Sequence, residues 1–320
     1  MSVSLVIATF NHARFLADAL DSAVAQTLRD VEIIVVDDGS TDDTPTVLAR
    51  YGRRIRVIRR ANRGLAAARN AGLAAARGTY ASFLDADDVL MPTKLAEQAA
   101  ILDRAPAVGW TYCDVLIETT ATGAETRASE RFGYASRMLE GWLFPELIHG
   151  NFIPAIAPLI RRTVLDAAGG FDERLTALED WDLWLRLSLI AEARYSPAAL
   201  VRYRVRPGGM SEDRSRMDRN RFRVLDKLCR ARPAAVEGLG AAGRRIMADT
   251  HNWLGKEAYA RGDWSEARRR FAASLATVPW QREAPMLLGL SLVRSGTRAR
   301  ASEPTPGPRA GSAPGCCTRR

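Results

Sequence analysis

The sequence YASFLDADDVLMP, residues 80–92, decides the fold, because strand-forming residues run directly into three carboxylates. Residues 80–84 are rich in strand formers, and Asp85, Asp87 and Asp88 follow at once. Like charges repel one another and resist removal from water, so their position at the end of a buried strand needs a reason. A polar turn is one explanation. A bound cation, together with an anion that the cation holds, is the other.

The first 90 residues alternate between strand and helix patterns. Apolar runs of strand length occur in VSLVIATF (3–10), VEIIVVDDGSTDDT (31–44), RIRVIRR (54–60) and TYASFLDADD (79–88). Helical patterns lie in ARFLADALDSAVAQ (13–26) and NRGLAAARNAGLAAARG (62–78). Continuous apolar strands separated by helices predict an α/β, Rossmann-like fold whose mainly parallel central sheet is covered on both faces.

Polar residues follow three of the predicted strands. In parallel sheets, ligands bind beyond the carboxyl ends of the strands. We therefore expect one rim to bring together the following residues: Thr9 and Asn11 after the first strand, Asp37 and Asp38 after the second, and Asp85, Asp87 and Asp88 after the fourth.

Two of the three clustered carboxylates suit a metal ion. Alternate residues of an extended segment point the same way, so Asp85 and Asp87 share one side and Asp88 faces away. Magnesium and manganese prefer oxygen ligands, and magnesium commonly binds one or two carboxylates together with substrate phosphates. An acidic turn without a metal is the alternative.

The segment around Asp38 has two interpretations. Asp38 can belong to a turn that precedes a helix capped by Ser40 or Thr41, or it can accept a hydrogen bond from a uracil-like or thymine-like base. Further along, Arg63 and Arg69 either are solvated helix residues or fix the Asp38 carboxylate and stack on a base.

A second group of carboxylates, Glu179 and Asp180, opens the predicted helix LEDWDLWLRL (178–187). Acidic residues are favoured at helix N-termini without any catalytic role. The alternative is a carboxylate base that takes a proton from an acceptor hydroxyl. Trp181 and Trp184 then either line an acceptor site or pack in the core, and core packing is favoured for Trp184.

Arginines concentrate in the stretch RYRVRPGGMSED, residues 202–213. As a strand it places Arg202, Arg204 and Arg206 on one face, either as a solvated edge or as cations that close over a diphosphate. The basic helix that follows, residues 214–233, either has a solvated face or lies on an anionic membrane surface.

Composition narrows the class of protein. The 320 residues are 47% hydrophobic and 26% charged, and no apolar run approaches the roughly 18 to 20 residues that span a bilayer. We expect a cytoplasmic protein, without a signal peptide and with free thiols at its four cysteines. The net charge of +9 is concentrated in the carboxyl-terminal third, where no recognised nucleic-acid motif occurs, so no specific nucleic acid is expected.

Three regions are predicted along the chain. Residues 1–212 form the α/β domain, residues 213–296 form a helical region, and residues 297–320 form a disordered basic tail. Within the helical region, Leu254, Gly255, Ala267, Phe271 and Pro279 have the relative spacings of one tetratricopeptide repeat. We expect a helical hairpin that packs on the first domain, with partner binding as the alternative role.

Taken together, the motifs resemble those of the family 2 glycosyltransferases, which have a glycosyltransferase A-type fold. The matching stretches occur in family order over about residues 3–212 and include EIIVVDDGSTDDT, NRGLAAARNAGLAAARG, FLDADDVLMP, GGFDERL, EDWDLWLRL and YRVRPGGMS. The resemblance implies an inverting transferase that uses a nucleotide-activated sugar, with UDP or dTDP favoured, and Mn²⁺ or Mg²⁺.

The resemblance also implies roles for individual residues. Thr9 matches a position near the nucleotide, Asp38 the carboxylate that contacts the base, and Arg69 a nucleotide-side arginine. Asp85 falls near the ribose or the metal, Asp87 on the principal metal ligand, and Asp180, with Glu179 beside it, on the catalytic base. The family often has histidine where this chain has Arg206, which with Arg204 is expected to hold the diphosphate.

The Gln-x-x-Arg-Trp motif of the processive, membrane-spanning members is not visible, so a single sugar addition is favoured. A saccharide, a lipid-linked saccharide or a protein remains open as the acceptor, as does peripheral contact with an anionic membrane. The alternative functions are a sugar-phosphate nucleotidyltransferase, which lacks its expected Gly-rich loop here, and a non-catalytic adaptor that binds nucleotide sugar and recruits partners through its helical region.

Overall fold

The computed structural model of the protein describes residues 2–133, 139–280 and 283–301. The chain divides into two compact units, Met1–Leu225 and Asp226–Arg320. This division falls inside a helix, Arg214–Ala231, whereas the sequence placed the boundary at residue 212.

The first unit is built on one sheet. In the described part of the chain the sheet has nine strands in the order β3-β2-β1-β4-β8-β6-β9-β5, with β7 paired to β6. The strands are β1 (Val3–Thr9), β2 (Val31–Asp37), β3 (Arg56–Arg59), β4 (Tyr80–Asp85), β5 (Val89–Leu90), β6 (Val108–Thr119), β7 (Ala124–Arg127), β8 (Pro158–Arg161) and β9 (Glu192–Val205).

The predicted parallel half of the sheet is confirmed. β2, β1 and β4 run parallel, with Val6 opposite Ile34 on one side and Phe83 on the other. β8 is antiparallel to β4 and to β6, and β9 is parallel to β6 and antiparallel to β5. The apolar sequences of β1 and β4 follow from burial on both faces, because every residue of β1 is buried.

Helices pack on both faces of the sheet or follow its last strand. Those of the first unit are α1 (Ala13–Val24), α2 (Thr44–Ala49), α3 (Leu65–Ala75), α4 (Lys94–Arg104), α5 (Ala128–Arg131), α6 (Phe144–Leu147), α7 (Arg162–Ala168), α8 (Glu179–Leu187) and α9 (Arg214–Ala231).

The Ala-rich composition of α3 allows this helix to lie close to the sheet. A Cβ atom on Gly72 would lie 2.3 Å from a methyl carbon of Val6 on β1, so only glycine fits. Because α3 is held so close, the residues at its start are fixed relative to the ends of β1 and β4.

α2 begins later than the sequence indicated. Its N-cap residue is Asp43 and its first residue is Thr44, whose N–H bonds to the Asp42 carboxylate at 3.0 Å. The prediction of a cap at Ser40 or Thr41 was therefore wrong. The Ser40 hydroxyl instead accepts from the backbone N–H of Asn11, 29 positions earlier in the sequence, at 3.0 Å.

The second unit is helical. After the carboxyl-terminal end of α9 come α10 (Pro233–Glu237), α11 (Ala241–Ala260), α12 (Trp264–Thr277) and α13 (Ala284–Ala301). The predicted hairpin corresponds to α11 and α12, whose Ala258, Ala267 and Phe271 form one buried cluster with Ala284 of α13. α13 extends beyond residue 297, where the tail was predicted to begin, and the rest of that tail lies outside the described residues.

Two findings concern the predicted cell compartment. In the ranges described, no helix is long and apolar enough to cross a bilayer. Cys113 and Cys229 are free thiols, as expected, and Cys316 and Cys317 lie outside the described residues.

Candidate active site

A large cleft opens where the carboxyl ends of β1, β2 and β4 meet. Its volume is about 900 Å³. Eight of the nine residues predicted to bind the nucleotide or to act in catalysis line it, together with the metal candidate Asp87: Thr9, Asp38, Arg69, Asp85, Glu179, Asp180, Arg204 and Arg206. Residues up to 197 positions apart in the sequence thus converge on one cleft. Of the residues expected at the rim of the parallel sheet, Thr9, Asp38, Asp85 and Asp87 line the cleft, whereas Asn11, Asp37 and Asp88 do not.

Asn11 is the exception. It does not belong to the cleft lining, and its side-chain oxygen accepts from the backbone N–H of Thr41 at 2.8 Å. Its φ of 55° places it in the left-handed region that asparagine tolerates. The structure therefore assigns Asn11 to fixing the loop after β2, and the predicted ligand contact has no support in its position.

Asp38 lies buried at one corner of the cleft. Its Oδ2 atom accepts from the backbone N–H groups of Arg63 (3.0 Å) and Gly64 (2.7 Å). Gly64 has φ of +93°, which glycine adopts without strain, so the sequence Arg-Gly shapes this contact. Oδ1 lies 3.2 Å from Arg60 Nε without hydrogen-bond geometry, and it remains a buried acceptor that no described residue satisfies.

Arg69 does not pair with Asp38, as the sequence had allowed. This arginine is 2% exposed and bridges two other carboxylates, with 2.6 Å from Nη1 to Glu179 and 2.6 Å from Nη2 to Asp85. Its guanidinium also lies over the Phe171 ring at 5.4 Å. Burial alone would lower its pKa, but Asp85 and Glu179 raise it above the ordinary value, so the cation is permanent.

Asp87 is paired with Arg206. The Nε atom of Arg206 donates to Asp87 Oδ2 at 2.8 Å, and the guanidinium lies over the Phe15 ring at 5.3 Å. His12 completes the group: it contacts Arg206, and its Nε2 atom is 3.9 Å from Asp87. The family often has histidine where this chain has Arg206. In this structure another histidine, His12, lies close to the Asp87 carboxylate.

Asp88 turns away from Asp85 and Asp87, as predicted. It is fully buried, and its Oδ1 atom accepts from the backbone N–H of Arg204 at 2.8 Å. Burial, and then the charges of Asp87 and Asp85, raise the pKa of Asp88 well above its usual range. Its role is to fasten the end of β4 to β9.

Asp180 lies in the first turn of α8. Its Oδ2 atom accepts from the Asn151 amide at 3.0 Å, and its Oδ1 atom accepts from the Trp181 N–H at 2.7 Å. Burial and the Glu179 charge raise the pKa of Asp180 to about 7. A carboxylate with such a pKa is suited to proton transfer near neutral pH.

Trp181 differs from one alternative that the sequence allowed, and Arg204 has carboxylate partners within the protein. Trp181 is 1% exposed and donates to the Leu147 carbonyl, so it packs in the core rather than at an acceptor site; Trp184 is also buried, as favoured. Arg204 pairs with Asp18 at 3.0 Å and lies 3.8 Å from Glu118, so its guanidinium is already engaged. Arg202 also contacts Glu118, which confirms that these arginines share one face.

Several lining residues were not singled out from the sequence. His12 follows β1 and lines the cleft with Thr9, and this position after a strand could have identified it as a site candidate. Asn62 precedes the Arg-Gly pair, while Asn151 comes from a middle section without periodicity. For Asn151 no sequence pattern indicated a role.

Comparison with known proteins agrees with this geometry. Residues 4–154 match the family described as "Glycosyl transferase family 2". An uncharacterized glycosyltransferase of Rickettsia prowazekii (strain Madrid E) is 32% identical over 209 residues, which cover 63% of this chain and 64% of that protein. The chain thus spans less than two thirds of this relative's length.

Solved structures share the fold. S. aureus TarS 1-349 in complex with UDP-GlcNAc has a TM-score of 0.64 at 18% identity, over 94% of this chain and 88% of that chain. Mannosyltransferase PcManGT from Pyrobaculum calidifontis, in complex with GDP-Man and Mn²⁺, has a TM-score of 0.58 at 21% identity, over 93% and 84%. Residues 4–154 thus match a family 2 glycosyltransferase domain, and the fold is the predicted glycosyltransferase A-type fold.

Proposed function

We propose that this protein transfers a sugar from a nucleoside-diphosphate sugar to an acceptor hydroxyl, with inversion at the anomeric carbon. One observation carries the proposal: the strand-end carboxylates Asp85 and Asp87 and the carboxylate Asp180 open on the same cleft. Its volume of about 900 Å³ lies within the range of pockets that enclose a small-molecule substrate.

The donor nucleotide is expected at the β1 and β2 ends of the cleft. Thr9 Oγ1 and Asp38 Oδ1 are both buried and have no hydrogen-bond partner in the described residues. A buried polar atom of this kind costs free energy unless a ligand satisfies it. An acceptor at Asp38 favours bases with a ring N–H donor, which supports UDP-sugars or dTDP-sugars.

The residues present fit a divalent cation that takes most of its ligands from substrate and water. Asp85 and Asp87 each give one oxygen to an arginine, and each has a second carboxylate oxygen. Within the described ranges, no group of three or more His, Cys, Asp or Glu side chains forms a complete metal site. Mg²⁺ or Mn²⁺ would be held by Asp87 and Asp85, and when bound it neutralises charge on the diphosphate.

The protein residues divide the chemical work. Asp180 takes the proton of the acceptor hydroxyl, whose oxygen forms a bond to the anomeric carbon as the bond to the diphosphate breaks on the opposite face. Arg206 pairs with Asp87 through its Nε atom, and its guanidinium would donate to the departing diphosphate. Asn151 orients Asp180, and Arg69 holds Glu179 and Asp85 in place.

The proposal includes a biosynthetic role for the protein. A place in cell-surface polysaccharide or glycoconjugate synthesis fits a single-addition enzyme in the cytoplasm, with peripheral contact at an anionic membrane through the basic helix. The adaptor alternative predicts nucleotide binding without turnover, and the intact Asp38, Asp87 and Asp180 argue against it.

The test is calorimetric titration of UDP, dTDP, GDP and CDP into the purified protein, with Mn²⁺ and then with EDTA. We expect one diphosphate to bind in a metal-dependent manner, and Asp87→Ala to weaken that binding roughly tenfold or more. Metal titration of Asp87→Ala identical to that of the wild type would remove Asp87 from the role. Folded protein that binds no nucleotide would overturn the proposal.

A further inference from the structure

The cleft contains arginines that the proposed donor site does not use. On the donor side, the cleft-lining arginines have carboxylate partners, as in Arg63 with Glu173 and Arg69 with Asp85. Arg131, Arg214 and Arg216 also line the cleft. Among the residues that the structure describes, no carboxylate forms a salt bridge with any of these three guanidinium groups.

Arg216 is held against the segment that precedes Asp180, the proposed proton acceptor, and Arg214 lies in the same helical turn as Arg216. Asn220 of α9 is 1% exposed, accepts from the Thr176 N–H at 3.2 Å and donates to the Thr176 hydroxyl at 3.1 Å. Arg216 also donates to the Thr176 carbonyl. The first turn of α9, with Arg214 and Arg216, is therefore held against the segment that leads into Asp180.

The hydrogen-bonding state of these arginines leaves room for an anion. Arg216 Nε is buried and has no acceptor in the described part of the chain, and Arg214 is exposed to the cleft. The nearby carboxylates bond to backbone instead: Glu212 accepts from the Gly208 N–H, and Asp213 accepts from the Arg216 N–H. Guanidinium groups without carboxylates recognise phosphate and carboxylate ligands well, because their donors match planar oxygen pairs.

Apolar side chains accompany these cations. Phe132 follows Arg131 and is 48% exposed, and Phe152 follows Asn151, whose amide bonds to Asp180; both aromatic rings line the cleft. Ligand sites typically combine such apolar surfaces with a few placed polar groups.

We infer that the acceptor is an anionic saccharide, with a phosphate or carboxylate group near the hydroxyl that Asp180 deprotonates. This inference rests on the proposed glycosyl transfer and specifies its acceptor. It also explains the start of the basic helix: Arg214 and Arg216 belong to the acceptor site, rather than to a merely solvated face.

The experiment measures retention of the full chain on immobilised saccharides of three classes: neutral, uronate-bearing and phosphate-bearing. Mn²⁺ and the nucleoside diphosphate identified by calorimetry are kept at saturation, at a salt concentration of about 150 mM so that long-range attraction is screened. We expect retention on anionic saccharides and not on neutral ones. The preference between uronate and phosphate identifies the anion.

Variants separate a specific site from general attraction. Arg214→Gln with Arg216→Gln should weaken retention roughly tenfold or more and leave nucleotide affinity unchanged. Arg223→Gln is the matched control, because Arg223 is exposed on α9 outside the cleft lining. Equal retention of neutral and anionic saccharides, no retention of anionic ones, or an equal loss in Arg223→Gln would overturn the inference. Failure of the proposed function itself would be visible earlier, as absence of nucleotide binding.

Discussion

The carboxylates at the strand ends and the carboxylate on α8 lie in the same cleft but in different electrostatic surroundings. Asp38, Asp85 and Asp87 each contact an arginine, at 3.2, 2.6 and 2.8 Å. Among the described residues, Asp180 accepts from the neutral N–H groups of Asn151 and Trp181, and burial and the Glu179 charge raise its pKa to about 7 against the opposing charge of Arg69.

This difference assigns different chemistry to similar side chains. A carboxylate beside a guanidinium has a charge partner for one oxygen and can use the other to hold a cation or accept a hydrogen bond. A carboxylate beside amides and another acid gains affinity for a proton, as a base needs. The strand ends are thus suited to holding the donor, and the start of α8 is suited to removing a proton.

The largest expected effect comes from removing the proton acceptor. Asp180→Asn keeps the size of the side chain but has no basic oxygen, so transfer should fall by about two to four orders of magnitude with donor binding unchanged. Initial rates and nucleotide titration check this. Asp166→Asn, at a surface pair on α7, is the control and should be neutral. Turnover of Asp180→Asn near the wild-type rate would contradict the assignment of Asp180 as the proton acceptor, and with it the functional difference between the two kinds of carboxylate.

The second-largest effect tests whether the fold depends on Arg69, which bridges Asp85 at a strand end and Glu179. Arg69→Met leaves Glu179 and Asp85 facing each other without their shared cation, which should destabilise the fold by about 3–5 kcal/mol. Urea denaturation gives the free energy of unfolding. Arg63→Met removes an exposed pair with Glu173 and should cost less than about 1 kcal/mol. Equal losses in both variants would mean that Arg69 is not a structural bridge.

A smaller effect is expected at Arg206, which in the proposed site competes with a metal ion for Asp87. Arg206→Gln should tighten binding of Mn²⁺ alone by about two- to fivefold, since the pair is partly exposed, and should weaken binding of the diphosphate. Electron paramagnetic resonance of free Mn²⁺ reports the first change. Arg204→Gln serves as the control, because Arg204 pairs with Asp18. Weaker Mn²⁺ binding in Arg206→Gln would contradict this competition.

The smallest expected effect tests the assignment of Asp180 as the catalytic base. Because the deprotonated form of Asp180 is active and its pKa is about 7, kcat/KM should rise with pH through neutrality and then level off. The Asn151 amide favours the charged form, so Asn151→Ala should move this rise to higher pH. Rate profiles between roughly pH 5 and 9 test this. A shift to lower pH would assign the rise to another group.

Local sequence patterns predicted the strand-end part of the site. β1, β2 and β4 have continuous apolar sequences, and a parallel sheet places their carboxyl ends side by side, so Thr9, Asp38, Asp85 and Asp87 were expected at one rim, and all four line the cleft. Asp180 was a candidate from its place in a helix, but only the family resemblance favoured it over an ordinary helix-terminal acid.

The partners of these residues could not be predicted. Helical periodicity places Arg69 on α3 but does not say which of several distant carboxylates it meets, and Glu179 is 110 positions away. Asn11 and Ser40 looked like separate turn residues, yet they bond across two loops. Such contacts depend on how close a helix or loop lies to the sheet, which packing at residues such as Gly72 decides.

The buried carboxyl of Asp88 differs from the other acids of the motif Asp-Ala-Asp-Asp. Burial raises the pKa of Asp88 well above its usual range, so this carboxyl holds its proton more readily than an exposed aspartate does. Position 88 requires a side chain of this size that accepts one hydrogen bond from β9, while position 87 requires a negative charge for its pair with Arg206. Asparagine meets the first requirement and fails the second.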